Sequence, residues 1–126
     1  MTAATHHIGA VAERTGLSLR SLRHWEEVGL ITPSARTEGG FRLYTEEDID
    51  RILLVRRMKP LGYSLEEMGA LIALSEEIDA GADAVGRLEE LLADATQRRE
   101  KLRRTLDMAD EFIAILESRR ADARDA

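Results

Sequence analysis

From Val85 onward, apolar residues recur at alternating spacings of three and four: Val85, Leu88, Leu92, Ala95, Leu102, Leu106, Ala109, Ile113 and Leu116, with Arg99 breaking the series. This is a heptad seam, and a helix carrying it would be roughly 50 Å long at 1.5 Å rise per residue. So narrow a stripe is not satisfied by one helix alone in water, and it requires a partner. The constraint divides the 126 residues. A globular domain has to come from what precedes the seam, which leaves no room for a doubly wound nucleotide-binding enzyme or a (β/α)₈ barrel. The expected organisation is a disordered leader over 1–7, a domain over 8–75, a linker over 76–84, the paired helix over 85–120 and a frayed tail over 121–126.

Within the first part, Ile8, Val11, Ala12 and Thr15 share one helical face, and Gly16 ends that helix. Ser18 is a good N-cap for a second helix over Leu19–Val28, with Leu19, Leu22 and Trp25 or Glu26 on one side and Arg20, Arg23, His24 and Glu27 mostly on another. Two short helices joined by Gly16-Leu17-Ser18 read as a helix-turn-helix. Residues 36–44 hold Gly39-Gly40 between short flanks, the pattern of a tight hairpin. Thr45-x-x-Asp48 and Ser64-x-x-Glu67 each open a further helix with a capping box. The third helix is apolar nearly all round (Ile49, Ile52, Leu53, Leu54, Val55, Met58 and Leu61) and belongs at the centre of the core. Pro60 and Gly62 end it, and the fourth turns Leu65, Met68, Leu71 and Ile72 inward.

Composition excludes several functions. The chain has no cysteine, hence no disulfide, thiol redox chemistry or thiolate metal site. The neighbouring His6 and His7 lack a third ligand, so no metal is expected. No apolar stretch approaches the ~18–20 residues of a membrane span. The N-terminal residues carry no secretion signal, and the expected compartment is the cytoplasm. Acids fall into caps and helix faces without a catalytic grouping, so neither an enzyme nor a cofactor is expected. The net charge of −6 speaks against a nucleic-acid partner until its distribution is considered. Residues 1–72 hold nine basic and ten acidic side chains, and residues 73–126 nine and fourteen. The surplus acid lies mainly in the linker and coil, while Arg51–Tyr63 holds four bases and no acid.

Ile8, Val11-Ala12, Thr15-Gly16-Leu17-Ser18, Leu22-Arg23, Trp25-Glu26, Gly29-Leu30-Ile31 and Pro33 form an ordered pattern that continues through Arg36, Gly40-Phe41-Arg42 and Tyr44. It resembles the MerR family of winged-helix transcription regulators, without a gap from residue 8 to about residue 74. The long helix that follows is similar to the family's dimerisation helix. The implied fold is mainly α: a winged helix-turn-helix with a small β-hairpin wing, then a long coiled-coil dimerisation helix. No Cys or His follows that helix here, and no large ligand domain, so the resemblance is to a short member without a C-terminal effector domain.

The resemblance implies a homodimer on an inverted-repeat promoter operator, with the second helix in the major groove. Ser18, Arg20, Ser21, Arg23 and His24 are then contact candidates, Arg20 foremost as a base reader. Arg36, Arg42 and Tyr44 would reach the backbone from the wing, and Tyr63 from a second wing near Arg56, Arg57 and Lys59. Plainer roles stand beside these. Trp25 reads equally as core beside Leu22 and as an indole N–H donor to phosphate. Arg23 has Glu26 and Glu27 within reach. Phe41 is expected to pin the hairpin to the core, and Tyr44 has the same option. In the family the long helices pair antiparallel, each coil against its mate's winged domain. Arg99 at the seam would then face Leu102 of the other chain and specify register. The family bends and untwists promoter DNA for RNA polymerase, an indirect partner. The alternatives are an architectural DNA binder without effector control and a coiled-coil protein-interaction module.

Overall fold

A computed structural model describes residues 4–126. They form two compact units that divide between Asp83 and Ala84.

In the first unit, helix α1 (Ile8–Thr15) closes on Gly16. Its φ of +71° lies in the left-handed region, and its N–H donates to the Ala12 carbonyl at 2.9 Å. Helix α2 (Leu19–Glu27) opens on Ser18, whose Oγ accepts the Ser21 N–H at 3.0 Å. The turn between them is therefore set by one glycine and one hydroxyl. Val11 and Leu22 face each other's helices in the core, with Trp25 beside them.

Three antiparallel strands follow in the order β1-β3-β2: β1 (Thr5–His7), β2 (Ala35–Arg36) and β3 (Arg42–Thr45). Arg36 pairs with Arg42 across the hairpin, whose turn is closed by the Gly40 N–H on the Thr37 carbonyl at 2.9 Å. Gly40 has φ +84°, which a side chain would strain. Strand β1 corrects the expected disordered leader: Thr5, His6 and His7 pair with Thr45, Tyr44 and Leu43. The segment contributes backbone groups to the free edge of β3, and its polar side chains carry no alternation to announce this. Residues 1–3 lie outside the described residues.

Helix α3 (Glu46–Met58) begins in the Thr45/Asp48 capping box and runs through the core, with Ile49, Ile52 and Val55 almost fully buried. A 3₁₀ turn over Lys59–Leu61 leads through Gly62 to α4 (Leu65–Asp79), opened by the Ser64/Glu67 box. Met68 and Ile72 are buried as expected, but Leu65 is exposed. Helix α4 also runs through residues 76–79, where a linker was expected. No proline or glycine stands between Gly69 and Gly81, and Glu76 is held at 2.7 Å by Arg51 of α3.

The second unit is α5 (Val85–Asp125), 41 residues or about 60 Å long. It continues through the expected frayed tail to Asp125. Among its described residues none from Val85 onward is buried, and Val85, Leu88, Leu92, Leu102, Leu106, Ile113 and Leu116 of the seam are exposed. Met108, Phe112 and Ile115, also exposed, add a second apolar stripe beside the seam's C-terminal half. No helix of the described residues is long and apolar enough to cross a membrane.

Candidate nucleic-acid interface

Helix α2 divides its side chains sharply. Leu22 and Trp25 enter the core, which leaves Arg20, Arg23 and His24 on the opposite, exposed side. None of these three side chains makes a hydrogen bond or ion pair with the described residues. Together with Ser21, Glu27, Lys59 and an edge of Trp25, they line an open concavity of about 620 Å³. The Lys59 ammonium sits 5.6 Å from the Trp25 ring centroid. The indole is thus core on one side and a platform for a cation on the other. Lys59 belongs to this surface more directly than the sequence suggested. Its signal was the basic run Arg56-Arg57-Lys59, which says nothing about which member reaches α2.

Other candidates are already engaged within the chain. The Ser18 hydroxyl accepts the Ser21 N–H and donates to Ser21 Oγ at 3.0 Å, so both serve the cap. Arg56 donates to the Thr15 carbonyl at the end of α1, where its charge also suits the helix dipole. Arg36 donates to Glu26 at 2.8 Å and to the Gly40 carbonyl at 3.2 Å, and Arg42 donates through Nε to the other Glu26 oxygen. Arg23, for which Glu26 was a possible partner, is left exposed. The wing arginines take that carboxylate because the hairpin folds back onto α2, a contact that residue spacing does not encode.

Phe41 leaves its expected place at the core, and Tyr44 takes the core option open to it. Phe41 is 70% exposed at the wing tip, whereas Tyr44 is fully buried and joins the core. Alternation along β3 sends Tyr44 inward together with the sheet's buried face. Its hydroxyl, buried without a hydrogen-bond partner among the described residues, is not available to a phosphate in this arrangement. Burial first, and the charge of Glu26 second, push that hydroxyl above its ordinary pKa. Tyr63 is half-buried against the core after Gly62.

Two carboxylates brace this frame. Asp48, 3% exposed, accepts from Ser34 N, Ser34 Oγ, Thr45 N and Arg51. The capping box predicted only one of these bonds. Glu46 accepts both terminal nitrogens of Arg14 at 2.6 and 2.9 Å and meets His6 at 2.8 Å. The Arg14 hydrogen bonds, then that of His6, hold its carboxyl down at about 2. A groove between α3 and α4 is lined by four acids, Glu47, Asp50, Glu76 and Asp79, and one base, Arg51, around Leu54 and Ile72. Acid thus gathers there, while the exposed cations of α2 and Lys59 gather elsewhere on the same unit.

The pattern of the MerR HTH family regulatory protein matches residues 7–74. The HTH-type transcriptional regulator CueR of Salmonella typhimurium is 34% identical over 113 residues, covering 89% of this chain and 80% of that protein. The crystal structure of a MerR-family regulator from Bacillus cereus superposes with TM-score 0.70 at 25% identity, covering 91% of this chain and 79% of the other. HiNmlR, a MerR-family regulator lacking the sensor domain and bound to promoter DNA, gives 0.66 at 25% identity with 94% of each chain covered. With the family pattern spanning more than half its length, the chain belongs to the MerR family of helix-turn-helix regulatory proteins, which are transcriptional regulators and not enzymes.

Proposed function

We propose that the protein is a sequence-specific regulator that acts as a homodimer on an inverted-repeat operator within a promoter. The observation that carries this reading is the exposed, unpaired face of α2 formed by Arg20, Arg23 and His24, whose cations are continued by Lys59. Arg20 reads base edges in the major groove, and Arg23, Lys59 and the wing arginines hold the phosphate backbone. HiNmlR, similar in fold over nearly the whole chain, was solved on promoter DNA.

The long exposed seam of α5 supports pairing of two copies. In an antiparallel pair Arg99 lies across from Leu102 of the other copy, and the second stripe at Met108, Phe112 and Ile115 asks for cover beyond a two-helix seam. Two half-sites read by one dimer place a deformable centre between them. Bending and untwisting that centre presents the promoter to RNA polymerase, the indirect partner, in the cytoplasm. Genome-wide footprinting tests the first part: it should return an inverted repeat inside promoters. A diffuse footprint without preferred sequence would replace this reading with an architectural one. Leu102→Asp, which puts a charge on the seam, should give a monomer in sedimentation; an intact dimer would refute the seam.

A further inference from the structure

The wing and α2 are joined by a single carboxylate. Glu26, 15% exposed in its side chain, receives Arg36 of β2 at 2.8 Å on one oxygen and the Arg42 Nε of β3 on the other. The two arginines stand directly opposite each other in the hairpin register, where like charges repel. Glu26 offsets one of the two charges and binds both strands to the helix three residues beyond Arg23. Arg42 is gripped at its inner nitrogen only. Its two terminal nitrogens make no hydrogen bond to the described residues and remain a fork suited to a phosphate. Arg36 is more fully engaged, with one terminal nitrogen on Glu26 and the other on the Gly40 carbonyl.

An acid at this place is unfavourable for attraction to DNA in general, since it removes positive charge from the surface that meets phosphates. What it gives is geometry. With the bridge in place, the spacing between the groove-reading residues of α2 and the phosphate contacts of the wing is fixed. Only a duplex whose groove matches that spacing satisfies both. We propose that Glu26 is a positioning residue that sets discrimination between operator and unrelated DNA by locking the wing's register to α2. The inference rests on the DNA-binding reading above. It assigns a function to a residue that itself needs no contact with the duplex.

The two effects of Glu26 have opposite signs, and Glu26→Gln separates them. The amide keeps the shape, but its one oxygen cannot hold two guanidiniums and its NH₂ group faces the other. The probes are a duplex selected from a random-sequence pool by the wild-type protein and a scrambled duplex of the same composition, each titrated across a salt series. Affinity for the selected duplex should fall about tenfold, the scale of one good specific contact. Affinity for the scrambled duplex should hold or rise, with a salt slope steeper by about one charge. Glu26→Asp retains the charge but is one methylene shorter. It should restore wild-type binding to scrambled DNA while recovering discrimination only in part.

Trp25 fluorescence gives the unfolding midpoint of each variant. If Glu26→Gln does not fold, reduced discrimination by Glu26→Asp carries the test. Parallel loss on both duplexes with a lower midpoint would make Glu26 merely structural. Parallel tightening would make it merely a brake on charge, and unchanged discrimination would remove its role. Each of these overturns the inference while leaving the DNA-binding reading intact. A wild-type protein that selects no duplex at all overturns both.

Discussion

Asp48 offers the sharpest test of how the wing is built. Its carboxylate is 2% exposed and takes four hydrogen bonds. One oxygen accepts the backbone N–H groups of Ser34 at 3.0 Å and Thr45 at 2.9 Å, which flank the hairpin. The other accepts Ser34 Oγ at 2.8 Å and Arg51 at 2.9 Å. A hydrogen bond to a charged group contributes about 1.5–3 kcal/mol, so four would sum far too high without the cost of burying the carboxylate. In Asp48→Ala, Ser34 Oγ turns to water and Arg51 keeps Glu76, leaving mainly the two backbone donors and the cap. The expected loss is about 3 kcal/mol. That corresponds to roughly 15 °C in the melting midpoint of a domain this size. Trp25, the single tryptophan and 4% exposed in the first unit, reports that unfolding by fluorescence without interference from α5. Asp48→Asn can keep an oxygen toward both backbone donors, and should lose only about 1–2 kcal/mol. A loss under about 1 kcal/mol in the alanine variant would mean the burial cost already cancels the bonds. Equal losses in both variants would place the effect in the charge instead of the geometry.

Tyr44→Phe removes a buried hydroxyl that has no partner among the described residues. It should be neutral or stabilising by about 1 kcal/mol in urea unfolding, with DNA affinity unchanged; weakened DNA binding would show that the hydroxyl reaches the duplex. The Glu46 carboxyl is held at about 2, below its ordinary 4.5, so its contribution is complete above about 4.5 and lost as pH falls toward 2. Glu46→Gln should therefore lower stability by a constant amount above about pH 4.5 and flatten the acid limb over that window, the two profiles converging toward pH 2. Arg42→Ala should weaken binding to every duplex and lower the salt slope by about one. Arg56→Ala, which frees the Thr15 carbonyl, should instead reduce stability by about 1 kcal/mol with the slope unchanged; the reverse pattern in a salt titration would exchange their roles.

Local signals were readable wherever one residue or one short spacing decides the outcome. Gly16 and Ser18 end and begin helices through their own φ and their own hydroxyl. The Thr45/Asp48 and Ser64/Glu67 boxes form as their spacing foretold. The burial of Ile49, Ile52 and Val55 followed from the apolar girth of α3. What failed to show was pairing across distance. Strand β1 was missed because its part in the sheet is made by backbone atoms and its side chains are polar. Phe41 was expected at the core and is exposed, while Tyr44, for which the core was one of two options, is buried; both are aromatic and three residues apart. Only the side of β3 that meets the core distinguishes them.

The candidate interface divides in the same way. Residue type and order alone established that the chain joins a helix-turn-helix to a long helix with an apolar seam, and that α2 carries arginines opposite its buried face. Those are properties of spacing along one helix, where geometry is periodic. Which cations find partners within the chain was decided by tertiary structure. Arg56 is taken by the end of α1, and Arg36 and Arg42 are gathered by Glu26. Lys59 is brought over Trp25, and Arg23 is released from an acid only three residues away. A guanidinium binds whichever carboxylate or carbonyl the fold places within about 3 Å. That distance is set by how helices and strands pack, not by how far apart their residues stand in the chain.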